Sequence, residues 1–167
     1  EELLSLGPLV GAAVAVDAKR VVLATDSRTS RKTLADAMQS GLLAGGAEVL
    51  FGGIAPTPSV ALAAGNADAG VMITASHNPE NYNGYKLFRK DGSSYTVAQQ
   101  EEIERRIANP RYAAWDMQGS VTAVDIITPH KEKILADVTV PENMTVVVDC
   151  GNGAGGRITP AVLGADG

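Results

Sequence analysis

The strongest constraint on the fold is the alternation of short apolar runs with amphipathic stretches. An apolar run of the kind found in strands buried on both faces occupies residues 21–25, and further short strands are indicated at 48–51 and 69–74. Between the first two of these segments, apolar residues from Leu34 to Leu42 are spaced by three and four, which indicates a helix. A strand, a helix and a further strand in succession favour a parallel sheet covered by helices on both faces.

The remaining patterns extend this sheet and its covering layers. Residues 85–88 predict a fourth strand, whereas residues 1–16 fit either a helix or a pair of strands. Further helices are predicted at 59–64 with Thr57 as N-cap, at 97–108 and, from a weaker pattern, at 125–137. The sequence therefore predicts a three-layer α/β/α domain over residues 1–138, with a mostly parallel or mixed sheet of about four strands.

A second unit is expected after this domain. Residues 141–143 have the composition of a linker, and the apolar residues 145–149 predict a new buried strand. We therefore interpret residues 139–167 as a linker and the truncated start of a second, similar domain. A strand without its neighbours would present an exposed apolar edge or meet a partner chain.

Composition and charge exclude several classes of protein. Hydrophobic residues make up 45% of the 167 residues, which excludes a disordered tail. The net charge is −5, whereas proteins that coat nucleic acid or anionic membranes are usually basic. The lone Cys150 excludes a disulfide scaffold, and no run approaches the roughly 18 apolar residues of a membrane helix. We expect a cytoplasmic protein that binds neither nucleic acid nor membrane.

The segment from Thr74 to Pro79 is the most informative for chemistry, because functional loops of α/β sheets follow the carboxyl ends of strands. It contains Ser76, His77 and Asn78, and Lys86 follows shortly after. A serine that forms a covalent intermediate needs a group that takes its proton and a nearby positive charge. The alternative is an ordinary polar loop whose side chains bond its own backbone. The other histidine, His130, is expected to be a surface helix residue.

Thr74 to Pro79, continued by residues 81–88, closely resembles the catalytic loop of the α-D-phosphohexomutases. These enzymes are the phosphoglucomutases, phosphomannomutases and phosphoglucosamine mutases. The resemblance extends to residues 21–28, 56–58 and 146–155, so it covers nearly the whole chain. It implies an isomerase that interconverts hexose 1-phosphates and 6-phosphates through a phosphoserine and a bisphosphorylated sugar.

The resemblance also implies roles for individual residues. Ser76 would carry the phosphoryl group, with His77 and Lys86 as its catalytic partners, and Asn78 and Arg28 would bind substrate or phosphate. A Mg²⁺ ion would sit on an oxygen of the phosphoryl group on Ser76, since Mg²⁺ prefers such oxygens. The expected partners are a hexose phosphate, an activator of the glucose 1,6-bisphosphate type and the remaining domains of the parent enzyme.

Some positions depart from the family pattern. The family's Gly-Arg-Asp-x-Arg is Ala24-Thr25-Asp26-Ser27-Arg28 here, so the first arginine is lost and Arg28 could instead form a salt bridge within its loop. The family's opening segment has no match at residues 1–16, and its aspartate-rich metal loop is absent. The chain is therefore expected to be inactive alone, and a non-catalytic phosphate-binding or assembly module is the alternative.

A weaker alternative rests on the glycine-rich segment Gly151 to Gly156. This segment satisfies the Gly-x-Gly-x-x-Gly pattern of nucleotide-binding proteins. That fingerprint also requires a following helix, a second strand and an acidic residue about 20 positions further on. The pattern alone is a weak indication of nucleotide binding.

Overall fold

The computed structural model describes residues 2–139 and 144–164. One mixed sheet has the strand order β4-β3-β1-β2-β5. Its strands are β1 (Arg20–Thr25), β2 (Glu48–Ile54), β3 (Ala69–Ile73), β4 (Tyr85–Arg89) and β5 (Val121–Ala123). All neighbours pair in parallel except β4, which is antiparallel to β3. The mixed sheet was predicted; the fifth strand was not, because β5 is short and exposed.

Helices cover both faces of this sheet. They are α1 (Glu2–Val14), α2 (Arg31–Ala44), α3 (Thr57–Ala63), α4 (Val97–Ala108), α5 (Ile127–Asp137) and the short α6 (Thr159–Val162). Alternate residues of β1 serve two cores: Val21 and Leu23 pack with residues of α1, α2 and α4, whereas Val22 packs with residues of α3 and α5. The three-layer α/β/α architecture is therefore confirmed.

The positions of three helices decide three local predictions. The first segment of the chain is a helix, so the choice left open there is resolved. The prediction of Thr57 as an N-cap was wrong, because α3 already begins at Thr57 and the extended Pro56 precedes it. The last predicted helix begins two residues late, at Ile127, because the Asp125 carboxylate accepts the N–H groups of Ile127 and Thr128.

The predicted strand at residues 145–149 does not form in the described part of the chain. A strand needs a neighbour to share its backbone hydrogen bonds, and none of the described elements pairs with this segment. Its valines are exposed, and 94% of the surface of Val147 is open. The predicted linker at 141–143 lies outside the described residues. Within the described ranges, no helix is long and apolar enough to cross a bilayer.

Candidate active site

The loops that follow three strands meet in one cleft. Because β1, β2 and β3 run parallel, their carboxyl ends lie at the same edge of the sheet. The cleft there has a volume of about 600 Å³. Its lining comes from the loop after β1 (Asp26, Ser27, Arg28 and Thr29), the start of α3 (Pro56 and Thr57), β3 and its loop (Met72, Thr74, Ser76, Asn78 and Glu80) and residues 151–154.

Ser76 lies at this cleft with an exposed side chain and an unusual backbone. Its Oγ is 3.0 Å from Nδ1 of His77. Its φ angle is +57°, in the left-handed region. That conformation costs a residue with a Cβ roughly 1–2 kcal/mol. The Ser76 N–H donates to Oγ1 of Thr74 at 2.9 Å, which helps to hold this backbone in place.

A largely buried ion pair contacts the serine loop. Nε of Arg28 donates to Oδ2 of Asp26 at 3.0 Å, and only 11% and 14% of the two side chains are exposed. The same Oδ2 accepts the hydroxyl of Thr74 at 2.7 Å. The Asp26 carboxylate is thus shared between the two loops, one after β1 and one after β3.

Arg28 also bonds the backbone of the serine loop. Its Nη1 donates to the carbonyl of Pro79 at 2.6 Å, and its Nη2 donates to the carbonyls of Asn78 at 2.8 Å and Ser76 at 3.2 Å. The salt bridge weighed as an alternative for Arg28 is present. Because most of its N–H groups face loop carbonyls, the phosphate-binding role of Arg28 stays a prediction.

The other predicted residues lie on or beside the cleft. Asn78 lines it, and its N–H donates to the carbonyl of Ala75 at 3.1 Å. Lys86 is exposed on β4, directly opposite Met72 of β3. Opposed residues of antiparallel strands share a face. Lys86 therefore lies on the same face as Met72, which lines the cleft, but one strand further out than Ser76.

Two residues of the site were present in the predicted motifs but had no role assigned to them. Asp26 and Thr74 each follow a buried strand directly, and in an α/β sheet this position indicates a functional loop. Their mutual hydrogen bond joins residues 48 positions apart, so it follows from the strand order and not from local sequence.

The residues that the structure describes supply few ligands for a metal ion. No group of three or more His, Cys, Asp or Glu side chains suited to a metal is found in the parts that the structure describes. The Asp26 carboxylate is already bonded by Arg28 and Thr74. The donor set thus fits the prediction only in part: a phosphoryl oxygen on Ser76 would supply a ligand, and further ligands would have to come from elsewhere.

The glycine-rich segment forms part of the same cleft. Residues 151–154 line it, and the hydroxyl of Ser27 donates to the carbonyl of Asn152 at 2.9 Å. In the described residues a 3₁₀ turn, Ala154–Arg157, and the short α6 follow this segment. The strand and long helix that flank a nucleotide-binding fingerprint are not formed around it within 144–164.

Comparison with known proteins places most of the chain in one protein family. The family model for "Phosphoglucomutase/phosphomannomutase, alpha/beta/alpha domain I" matches residues 2–114. Phosphoglucosamine mutase from Methanococcus aeolicus is 43% identical over 155 residues, which are 90% of this chain and 34% of that protein. Its counterpart from Methanococcus maripaludis is 39% identical over 157 residues, 92% of this chain and 35% of that protein.

A solved structure shares the fold over almost the whole chain. The phosphoglucomutase/phosphomannomutase family protein from Burkholderia thailandensis superposes with a TM-score of 0.82 at 30% identity, over 98% of this chain and 38% of that one. The chain spans about a third of the length of the curated relatives that it matches. From the family match, the related sequences and the shared fold, the chain belongs to the phosphoglucomutase/phosphomannomutase family.

Proposed function

We propose that this chain is the phosphoserine domain of a longer phosphohexomutase, with Ser76 as the phosphoryl carrier. The observation that carries the proposal is the position of Ser76 Oγ, exposed at the cleft and 3.0 Å from an imidazole nitrogen. A nucleophile beside a group that can accept its proton is the arrangement that covalent catalysis requires. Family membership supports the same assignment.

The proposed step transfers a phosphoryl group from a sugar bisphosphate to the serine. Ser76 Oγ forms a bond to phosphorus as the bond between phosphorus and the sugar oxygen breaks. The hydroxyl proton passes to Nδ1 of His77, and the released sugar oxygen takes up a proton from solvent. In the opposite direction the phosphoserine gives its phosphoryl group to the free hydroxyl of a hexose monophosphate: that hydroxyl loses its proton to solvent, and Ser76 Oγ regains a proton from His77 as its bond to phosphorus breaks. The bisphosphate then turns over in the site and gives its other phosphoryl group to Ser76, so the net reaction moves phosphate between the 1- and 6-positions.

Charge stabilisation falls to the neighbours of Ser76. Phosphoryl transfer depends mainly on positioning and on compensation of negative charge. A phosphoserine adds roughly −1.5 to −2 charges at neutral pH. Lys86 offsets part of this charge, and Asn78 orients the substrate. A Mg²⁺ ion on the phosphoryl oxygen of Ser76 would supply further positive charge when bound, with its remaining ligands from other parts of the enzyme.

The sugar that we propose as the first to test is glucosamine phosphate. Support comes from the names of the relatives from Methanococcus aeolicus and Methanococcus maripaludis, both called phosphoglucosamine mutase. The residues that would contact the sugar's substituents and distinguish one sugar from another are expected in the other domains of the enzyme. Glucose and mannose phosphates are therefore the necessary comparison substrates.

The test is direct labelling of the complete enzyme. After incubation with glucose 1,6-bisphosphate, peptide mass spectrometry is expected to locate one phosphoryl group on Ser76. The Ser76→Ala enzyme, folded to the same extent by circular dichroism, is expected to stay unlabelled at that peptide. Label on another residue, or mutase turnover that survives Ser76→Ala, would refute the proposed role.

The isolated 167-residue chain provides a second test. We expect it to give no mutase turnover, because the described residues contain no cluster of metal ligands. Phosphate binding without turnover would agree with the alternative of a non-catalytic module for the isolated chain. Turnover by this chain that depends on Ser76 would show that the other domains are dispensable.

A further inference from the structure

We propose that Asp26, Arg28 and Thr74 form a positioning unit that sets the backbone of Ser76 for phosphoryl transfer. The inference rests on the proposed function of Ser76 and deepens it. It assigns Arg28 to the serine loop itself, in place of direct contact with a substrate phosphate. The unit acts on the reaction through Ser76 alone.

The first argument is that Ser76 needs an external constraint. Its left-handed φ of +57° is rarely adopted by a residue with a Cβ, and serine has no particular preference for it. Strained residues of this kind persist only where the surrounding structure over-determines them. The exposed side chain of Ser76 provides little of that constraint, since its Oγ bonds only the adjacent His77 among the described contacts.

The second argument is that both backbone polar groups of Ser76 are bonded to the unit. The Ser76 N–H donates to Thr74 Oγ1 at 2.9 Å, and the Ser76 carbonyl accepts from Nη2 of Arg28 at 3.2 Å. Thr74 in turn donates its hydroxyl proton to Asp26 at 2.7 Å, which fixes the hydroxyl as an acceptor toward Ser76. The orientation of the peptide groups on both sides of Ser76 is thus set by two side chains that share one carboxylate.

The third argument concerns the shape of the arginine. A planar guanidinium presents its N–H groups in a fixed fork, whereas a lysine ammonium is a point charge on a flexible stem. Arg28 uses that fork to span three carbonyls of the loop while Nε faces Asp26. Its side chain is 11% exposed, so little of the guanidinium is left for a ligand. A lysine at this position would keep the positive charge but could not bond all three loop carbonyls and Asp26 at once.

These arguments predict how variants divide between turnover and substrate affinity. A displaced nucleophile slows the chemical step, and a misplacement of about 1 Å can cost about 10²-fold in rate. A residue that binds a substrate phosphate would instead raise KM when it is removed. We expect Arg28→Lys and Thr74→Val to lower kcat about 10- to 100-fold while KM for the sugar phosphate changes less than about threefold.

The experiment uses the complete enzyme and matched variants. Thr74→Ser keeps the hydroxyl that Thr74→Val removes, so it is expected to retain most of the wild-type kcat. Arg20→Lys is the control for Arg28→Lys, because Arg20 forms an ion pair with Glu48 at 3.0 Å away from the cleft. The rate of Ser76 phosphorylation by glucose 1,6-bisphosphate is measured in a single turnover, together with kcat, KM and the unfolding midpoint of each variant.

The outcomes separate this inference from the proposed function. A wild-type enzyme that takes no phosphoryl group on Ser76 refutes the proposed function. If Ser76 is labelled in the wild type and the variants label at wild-type rates, the positioning unit is refuted. A large rise in KM with unchanged kcat in Arg28→Lys would also refute it, in favour of phosphate binding. If Thr74→Val does not fold, the Arg28→Lys and Thr74→Ser enzymes decide between these outcomes.

Discussion

Two serine–histidine pairs in the described part of the chain have similar hydrogen bonds and very different surroundings. Ser76 Oγ is 3.0 Å from Nδ1 of the adjacent His77, exposed at the cleft. Ser59 Oγ is 2.8 Å from Nδ1 of His130, 71 positions away in sequence, and Ser59 is fully buried. The comparison teaches that a hydrogen bond to imidazole does not by itself make a nucleophile. Access to a cleft and the backbone that presents the hydroxyl distinguish the two serines.

The buried pair has a structural explanation. Ser59 belongs to α3 and His130 to α5, and both helices cover the same face of the sheet. A buried hydroxyl without a partner costs free energy, so the imidazole satisfies Ser59 while it joins the two helices. The prediction of His130 as a surface residue was incomplete, because it lies half-buried on α5 and bonds Ser59.

The largest difference between the two serines is expected in turnover. In the complete enzyme, Ser76→Ala should lower mutase kcat by about 10³-fold or more, because it removes the attacking oxygen. Ser59→Ala should leave kcat within about twofold of wild type, since its hydroxyl reaches no substrate. A coupled assay of glucosamine phosphate conversion measures both. Equal losses in the two variants would contradict the distinction drawn between the pairs.

For stability, in contrast to turnover, Ser59→Ala is expected to have the larger effect of the two substitutions. Ser59→Ala should lower the free energy of unfolding by about 1–2 kcal/mol, because it leaves the half-buried imidazole without its partner. Ser76→Ala removes a hydrogen bond between exposed groups, so its effect should stay within about 0.5 kcal/mol. Urea titration of each variant provides the free energies. A Ser59→Ala chain as stable as the wild type would indicate that the bond between α3 and α5 contributes nothing.

Substitution by glycine should change stability in opposite directions at the two positions. Ser76→Gly relieves the left-handed backbone, and we expect it to raise the free energy of unfolding by about 0.5–1 kcal/mol. Ser59→Gly places glycine in a helix and removes the bond to His130, so it should lower that free energy by about 2 kcal/mol. Ser76→Ala serves as the control, because it keeps the Cβ and should bring no gain. A destabilising Ser76→Gly would show that the backbone there is not strained.

The same contrast marks how far the sequence determines the structure. Strands buried on both faces and helices with periodic apolar residues were predicted because their signals are local, and the loop with Ser76 followed from its place after β3. The Thr74–Asp26 and Ser59–His130 contacts could not be predicted, because each depends on which strands and helices become neighbours. The strand expected at 145–149 shows the same limit, since an apolar run becomes a strand only beside another strand.

The smallest expected effect is a pH dependence carried by the buried pair. Burial lowers the pKa of His130 below its ordinary value of 6.5. The unfolded chain therefore binds a proton at His130 more readily than the folded chain does. The resulting contribution to stability is present above pH 6.5 and is lost as the pH falls through 6.5 toward the lowered pKa of the folded state.

A matched variant isolates this contribution. In His130→Asn, an amide group that can both donate and accept replaces Nδ1 as the partner of Ser59 but does not titrate. We expect the free energy of unfolding of the wild type to decrease between pH 7 and pH 5 more steeply than that of His130→Asn, measured by urea titration at each pH. Parallel curves for the two proteins would mean that protonation of His130 is equally easy in both states. The surroundings of the Ser59–His130 bond would then be as well solvated as those of the exposed pair. The difference in burial between the two pairs would in that case not change the free energy of unfolding with pH.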